Sequence, residues 1–206
     1  MRATIHLVDD DEMFRNALQG VLELAGYDVQ TYASAGEFLL AEPPPHGAGC
    51  IILDLQMPGP SGLDLHEALA RRTGALPVIF LTGFGDVSST VRAMKAGAVD
   101  FLTKPVDRVT LLSAVHTALA HGEEWRAAAE RRLDLEKRFN ALTRREAAIF
   151  EHIVAGRLNK QIAGELDIAE RTVKTYRAQV MEKMGARSIA ELAALAAELR
   201  ASNSHR

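Results

Sequence analysis

Five polar residues stand where apolar runs end. Asp9 and Asp10 follow "TIHLV" (4–8), Asp54 follows "CIIL" (50–53), Thr82 closes "PVIFLT" (77–82), and Lys104 follows "VDFLT" (99–103). Three carboxylates brought together repel, and each resists ionising unless a cation sits among them. An all-oxygen set favours a hard cation. Mg²⁺ suits it, since it takes one or two carboxylates with waters and a phosphate. Such an ion would neutralise charge on a phosphoryl group, and Lys104 would add a second positive contact. A carboxylate can itself be the nucleophile and carry the group as an aspartyl phosphate. Asp54 is the best placed, on the central run. The "MPGPSG" loop after it (57–62) keeps backbone off the carboxylate and lets a carbonyl turn toward the metal. Taken singly, an Asp after a strand is an ordinary turn or cap former, and Thr82 or a Lys-Pro pair is equally plain. The signal is the ordered set.

Those residues need strands that end side by side. Besides the four runs above, "YDVQTY" (27–32) makes a fifth, and helical periodicity fills the gaps at 12–25, 34–41, 61–70, 86–96 and 106–121. "SAGE" at 34–37 has capping-box spacing. Five strands alternating with five helices predict a doubly wound α/β domain with a five-stranded parallel sheet. "CIIL" and "VIFL" do not alternate, as expected of strands covered on both faces. In such sheets functional groups gather beyond the carboxyl ends of the strands.

The chain has 206 residues, which favours two small domains. Its charge is uneven. Residues 1–122 carry 8 Lys and Arg against 14 Asp and Glu, and residues 143–187 carry 9 against 6. An acidic front and a basic block predict two jobs. No apolar run approaches the ~20 residues of a membrane span, the N-terminus has no signal-peptide core, and Cys50 is the single cysteine. The expectation is a cytoplasmic protein with no membrane partner.

Residues 106–140 hold almost no helix breaker, Gly122 being the one weak point. The expectation there is a helical connector, either a solvated linker or a continuation of the fifth helix that pairs with its twin. Residues 141–200 hold no strand-like run. Thr143 with Glu146, and Ser188 with Glu191, have capping-box spacing. "NKQIAGEL", the turn "DIAE" and "RTVKTYRAQVMEKMG" follow the plan of a helix-turn-helix. On its last helix Arg171, Lys174, Arg177 and Gln179 are polar, and Val173, Val180, Met181 and Met184 apolar. Lys174 and Arg177 share a face that can reach bases or phosphates of double-stranded DNA. A solvated basic face is the plainer reading.

With "HLVDDDE", "ILDLQMPGPSGLDL" and "VIFLTGFGDVSSTVRAMKAGAVDFLTKP", residues 4–121 resemble the receiver domain of bacterial two-component response regulators, the last segment especially the FixJ group. The resemblance implies that Asp54 accepts a phosphoryl group from a sensor histidine kinase. It implies that Asp10, Asp54 and the Gln56 main-chain carbonyl ligate Mg²⁺ while Asp9 acts through water. It further implies that Thr82 and Lys104 bind the phosphoryl oxygens, that Phe101 is the aromatic switch, and that the Lys104–Pro105 bond is cis. A rival reads "LVDDDEM" as the Asp-x-Asp nucleophile motif of haloacid-dehalogenase-type phosphatases. Met13 then stands where Thr or Val belongs, and Asp54 has no role. A nucleotide-binding enzyme is disfavoured, because no Gly-rich phosphate loop follows the first strand.

"LTRREAAIFEHIVAG" and "NKQIAGELDIAERTVKTYRAQVMEKMGA" resemble the LuxR/FixJ/NarL-type DNA-binding domain. This implies a four-helix helix-turn-helix domain whose third helix reads the major groove. Thr172, Val173, Lys174 and Arg177 fall where the family commonly touches DNA. Tyr176 replaces a frequent His, and Lys183 fits a phosphate role. The expected layout is a receiver over 1–121, a helical linker over 122–140 and a DNA-binding domain over 141–206. The expected function is a non-enzymatic response regulator, a homodimer when phosphorylated, that controls transcription. The alternative is a DNA-binding protein with a static receiver platform. Whether the unphosphorylated receiver instead inhibits the DNA-binding domain stays open.

Overall fold

The computed structural model of the protein describes residues 2–41, 48–70, 76–83 and 87–203. Within them the chain divides into two compact units, 1–127 and 128–206. In the first, strands β1 (Thr4–Val8), β2 (Asp28–Tyr32), β3 (Gly49–Asp54), β4 (Val78–Thr82) and β5 (Asp100–Thr103) form one parallel sheet in the order β2-β1-β3-β4-β5. Every residue of β3 and β4 is buried, which the unbroken apolar runs require. Successive side chains of β3 serve opposite faces. Ile51 and Leu53 pack with Phe38, Leu65 and Phe80, while Cys50 and Ile52 pack with Leu22, Leu111 and Val115.

Helices α1 (Glu12–Leu24), α2 (Ala35–Leu40), α3 (Gly62–Ala70) and α4 (Val87–Lys95) lie where the periodicity places them; residue 86, the expected start of the fourth, is outside the described residues. Ser34 caps α2 by accepting from the Glu37 amide at 3.1 Å. The chain reverses direction through the sheet between β1 and β3, the crevice where open α/β sheets place their sites.

Helix α5 runs from Arg108 to Asn140, so the fifth helix continues through the connector, one of the two expected arrangements. Gly122 is therefore not a weak point. A Cβ there would stand 3.2 Å from the Pro77 ring, so glycine lets the helix pass close to the chain leading into β4. Its early residues Leu111, Ala114, Val115 and Ala118 are buried in the sheet core. Leu135 is buried among the helices of the second unit, α6 (Arg144–Val154), α7 (Asn159–Leu166), α8 (Glu170–Met184) and α9 (Ile189–Asn203). Thr143 caps α6 in a full capping box with Glu146. The core of this unit is Ile149, Phe150, Ile153, Ile162, Val180 and Met184 with their neighbours. Among the described residues no helix is long and apolar enough to cross a membrane.

Candidate functional site

The sheet topology assembles the acid set. Val8 and Leu53 are register partners on adjacent strands, so Asp9, next after Val8, arrives beside Asp54 at the end of β3. One ligand oxygen from each of Asp9, Asp10 and Asp54 can be chosen so that all lie within 4.8 Å of one another. Asp9 is 0 % and Asp54 5 % exposed, while Asp10 is open to solvent. Thr82 closes the neighbouring β4 and is 0 % exposed. Lys104 follows β5, and its bond to Pro105 is cis.

Lys104 Nζ donates to Asp54 Oδ2 at 2.6 Å and lies 2.6 Å from Asp9 Oδ2. The second contact is an ion pair without hydrogen-bond geometry, since that Asp9 oxygen has no directed donor. Burial pushes the Asp9 carboxyl up from its ordinary value, more strongly than Lys104 and the Asp11 amide pull it down. Burial alone would lower the Lys104 ammonium, but the hydrogen bond to Asp54 and the close Asp9 carboxylate together outweigh it and the net shift is upward. Three carboxylates against one ammonium leave negative charge to be matched. This oxygen donor set fits a divalent cation.

The loop after β1 is fixed by a relay of short bonds. The Asp11 amide donates to Asp9 Oδ1 at 2.9 Å, and the Phe14 amide donates to Asp11 Oδ1 at 3.1 Å. Arg15 Nη1 donates to the Asp9 carbonyl at 2.6 Å. Asp11 is thus the N-cap of α1, which removes it from the phosphatase-type reading. Sequence reasoning missed Arg15 and Phe14; the three-residue spacing from the Asp11 cap was the available signal. The Gln56 amide donates to Asp54 Oδ1 at 3.0 Å. A Cβ at Gly62 would collide with the Asp54 carbonyl oxygen, so glycine is required where α3 begins. Phe101 is half-buried against the core.

In the second unit Thr172 and Lys174 are exposed on α8, while Tyr176 and Arg177 are half-buried. Arg177 Nη1 donates to the Arg157 carbonyl at 3.3 Å, and Tyr176 leans on the core. Val173 corrects an expectation. It is 0 % exposed and packs inside the unit, so it supports α8 from behind rather than meeting a groove. Lys183, expected at a phosphate, donates to Glu146 Oε2 at 2.7 Å. Nothing local in the sequence announces that pair, 37 residues apart.

A parallel sheet with three carboxylates, a hydroxyl and a lysine at its carboxyl edge is followed by a helix-turn-helix unit. Residues 5–116 match the response regulator receiver domain, and residues 140–196 match the bacterial regulatory proteins of the luxR family. The chain belongs to the response regulators that join these two domains. It is 42 % identical over 204 residues to nodulation protein W of Bradyrhizobium diazoefficiens, covering 99 % of this chain and 89 % of that one. It is 43 % identical over 192 residues to the transcriptional regulatory protein FixJ of Azorhizobium caulinodans, covering 93 % and 90 %. Among solved structures it is similar to the response regulator StyR, with a TM-score of 0.80 and 42 % identity over 96 % of this chain and 100 % of that one. Full-length FixJ from B. japonicum gives a TM-score of 0.58 at 37 % identity, covering 97 % and 98 %. The protein is thus a two-component response regulator that acts on transcription, not an enzyme.

Proposed function

We propose that Asp54 accepts a phosphoryl group from a sensor histidine kinase and that the modified receiver dimerises to drive DNA binding. The observation that carries this is the single ammonium of Lys104 held 2.6 Å from both Asp54 and Asp9, beside a third carboxylate. An Asp54 oxygen attacks phosphorus, a P–O bond forms, and the P–N bond to the kinase histidine breaks with its electron pair leaving on nitrogen. Lys104 and the Thr82 hydroxyl hold the phosphoryl oxygens. Asp10, Asp54 and the Gln56 carbonyl would hold Mg²⁺ directly and Asp9 through water, supplying charge neutralisation for the transferred group. Thr82 is drawn toward the phosphoryl group and Phe101 packs inward, reshaping the face formed by α4, β5 and α5.

The layout is a receiver over 1–121, a helical connector over 122–140 and a DNA-binding domain over 141–206. Two recognition helices α8 then meet paired half-sites. Thr172, Lys174, Tyr176 and Arg177 face the groove, and Lys183 reaches a phosphate only by sharing its ammonium with Glu146. The test is DNA binding to paired half-sites with and without acetyl phosphate and Mg²⁺, beside Asp54→Asn, with mass followed by light scattering. Tighter binding and a dimer that need Mg²⁺ and vanish in the variant are expected. Equal binding in every condition would reduce the receiver to a static platform.

A further inference from the structure

Lys104 has a third partner outside the acid pocket. Its Nζ lies 4.5 Å from the centroid of the Phe14 ring, close enough for the ring's negative face to attract the ammonium. The lysine side chain is only 16 % exposed, so the attraction acts in a partly desolvated space. Phe14 is itself fixed. Its backbone is tied through Asp11 to Asp9 by the two bonds described above, and its ring packs against the core of Leu18, Leu22 and Leu111. The same loop that carries the acid residues therefore carries the ring.

We propose that Phe14 is a positioning residue that keeps the Lys104 ammonium over Asp54 while the phosphoryl group arrives. The proposal rests on Asp54 being the phosphoacceptor. In the free protein the ammonium has two carboxylates and a ring as partners. When an Asp54 oxygen bonds to phosphorus, and the bond from phosphorus to the donor's leaving atom breaks with its electron pair, one of those carboxylate contacts is consumed. A lysine on a flexible four-carbon stem is then free to swing toward water, at a gain in rotamer entropy. The ring contact does not change during the step. It retains the ammonium near the phosphoryl oxygens, where charge develops.

Phe14→Leu keeps an apolar residue on the core and removes the π face, whereas Phe14→Tyr keeps both. Phosphorylation by acetyl phosphate with Mg²⁺ is followed on the full chain. The Lys104 side-chain protons are followed by NMR without Mg²⁺, where a ring overhead shifts them upfield. The expected result is phosphorylation about three- to tenfold slower in Phe14→Leu, with the upfield shift lost. Phe14→Tyr should keep the rate and the shift near those of the wild type, and circular dichroism should be unchanged in both. A wild-type rate in Phe14→Leu would overturn the proposal. Equal slowing in both variants would also overturn it, by showing that side-chain shape and not the π face matters. A wild-type chain that takes up no phosphoryl group, or takes it up equally as Asp54→Asn, would instead overturn the reading of Asp54.

Discussion

Lys104 holds together a group of charges that would otherwise repel. Asp9 and Asp54 are both buried, and each spends one oxygen on its ammonium. Removing one partner of a buried ion pair costs more than the pair contributes, because the other charge stays buried alone. Lys104→Met is therefore expected to destabilise the sheet unit by about 2–4 kcal/mol in urea unfolding. Added Mg²⁺ should recover part of that loss, since an ion held only by the folded state adds stability with concentration. Recovery should be smaller in the wild type, where the lysine already neutralises part of the site. The acid set was legible in the sequence because each member ends an apolar run, and strand ends are where a parallel sheet gathers its polar groups. The ring of Phe14 was not legible in that role. In the sequence it is one apolar step of α1, and only the third dimension turns its face to Lys104.

The elements show where local rules suffice and where tertiary packing overrides them. Capping-box spacing located the starts of α2 and α6, since a cap is decided within four residues, although only α6 closes the full box. Whether α5 runs on through Gly122 could not be decided locally. Glycine is a poor helix former, yet Gly122 sits where a larger residue would press on Pro77. Val173 gave the opposite lesson. It shares an apolar stripe with Val180 and Met184, so helical periodicity already argued for the core against a surface role. The β3–α3 connection is equally strict. Gly62→Ala must displace the Asp54 carbonyl, and should lower stability by about 2–4 kcal/mol and slow phosphorylation. On α6 the Lys183 hydrogen bond, then the Thr143 amide, hold the Glu146 carboxyl below its usual value. A folded value below the unfolded one gives stabilisation that is present above the ordinary glutamate range and lost as pH falls through the folded value. The melting temperature of the helical unit should fall as pH drops through the ordinary glutamate range and below it. Glu146→Gln should flatten the profile and lie below the wild type at neutral pH.

At the scale of the whole molecule the two units divide the charge. The acid surplus lies in residues 1–122 and the basic surplus in residues 143–187, so the stretch with the DNA-binding helices is not the stretch that holds the carboxylate pocket. A cation counts in full toward binding only if its charge is not already matched within the protein, and Lys183 is partly matched by Glu146. DNA affinity falls with salt because each neutralised phosphate releases condensed counterions, with a log–log slope of about −0.9 per phosphate on duplex DNA. Lys174 is exposed on α8, and Lys174→Met should make that slope shallower by about one per bound protomer. Lys183→Met should change the slope less than Lys174→Met does and should lower the melting temperature as well, because this lysine shares its ammonium with Glu146.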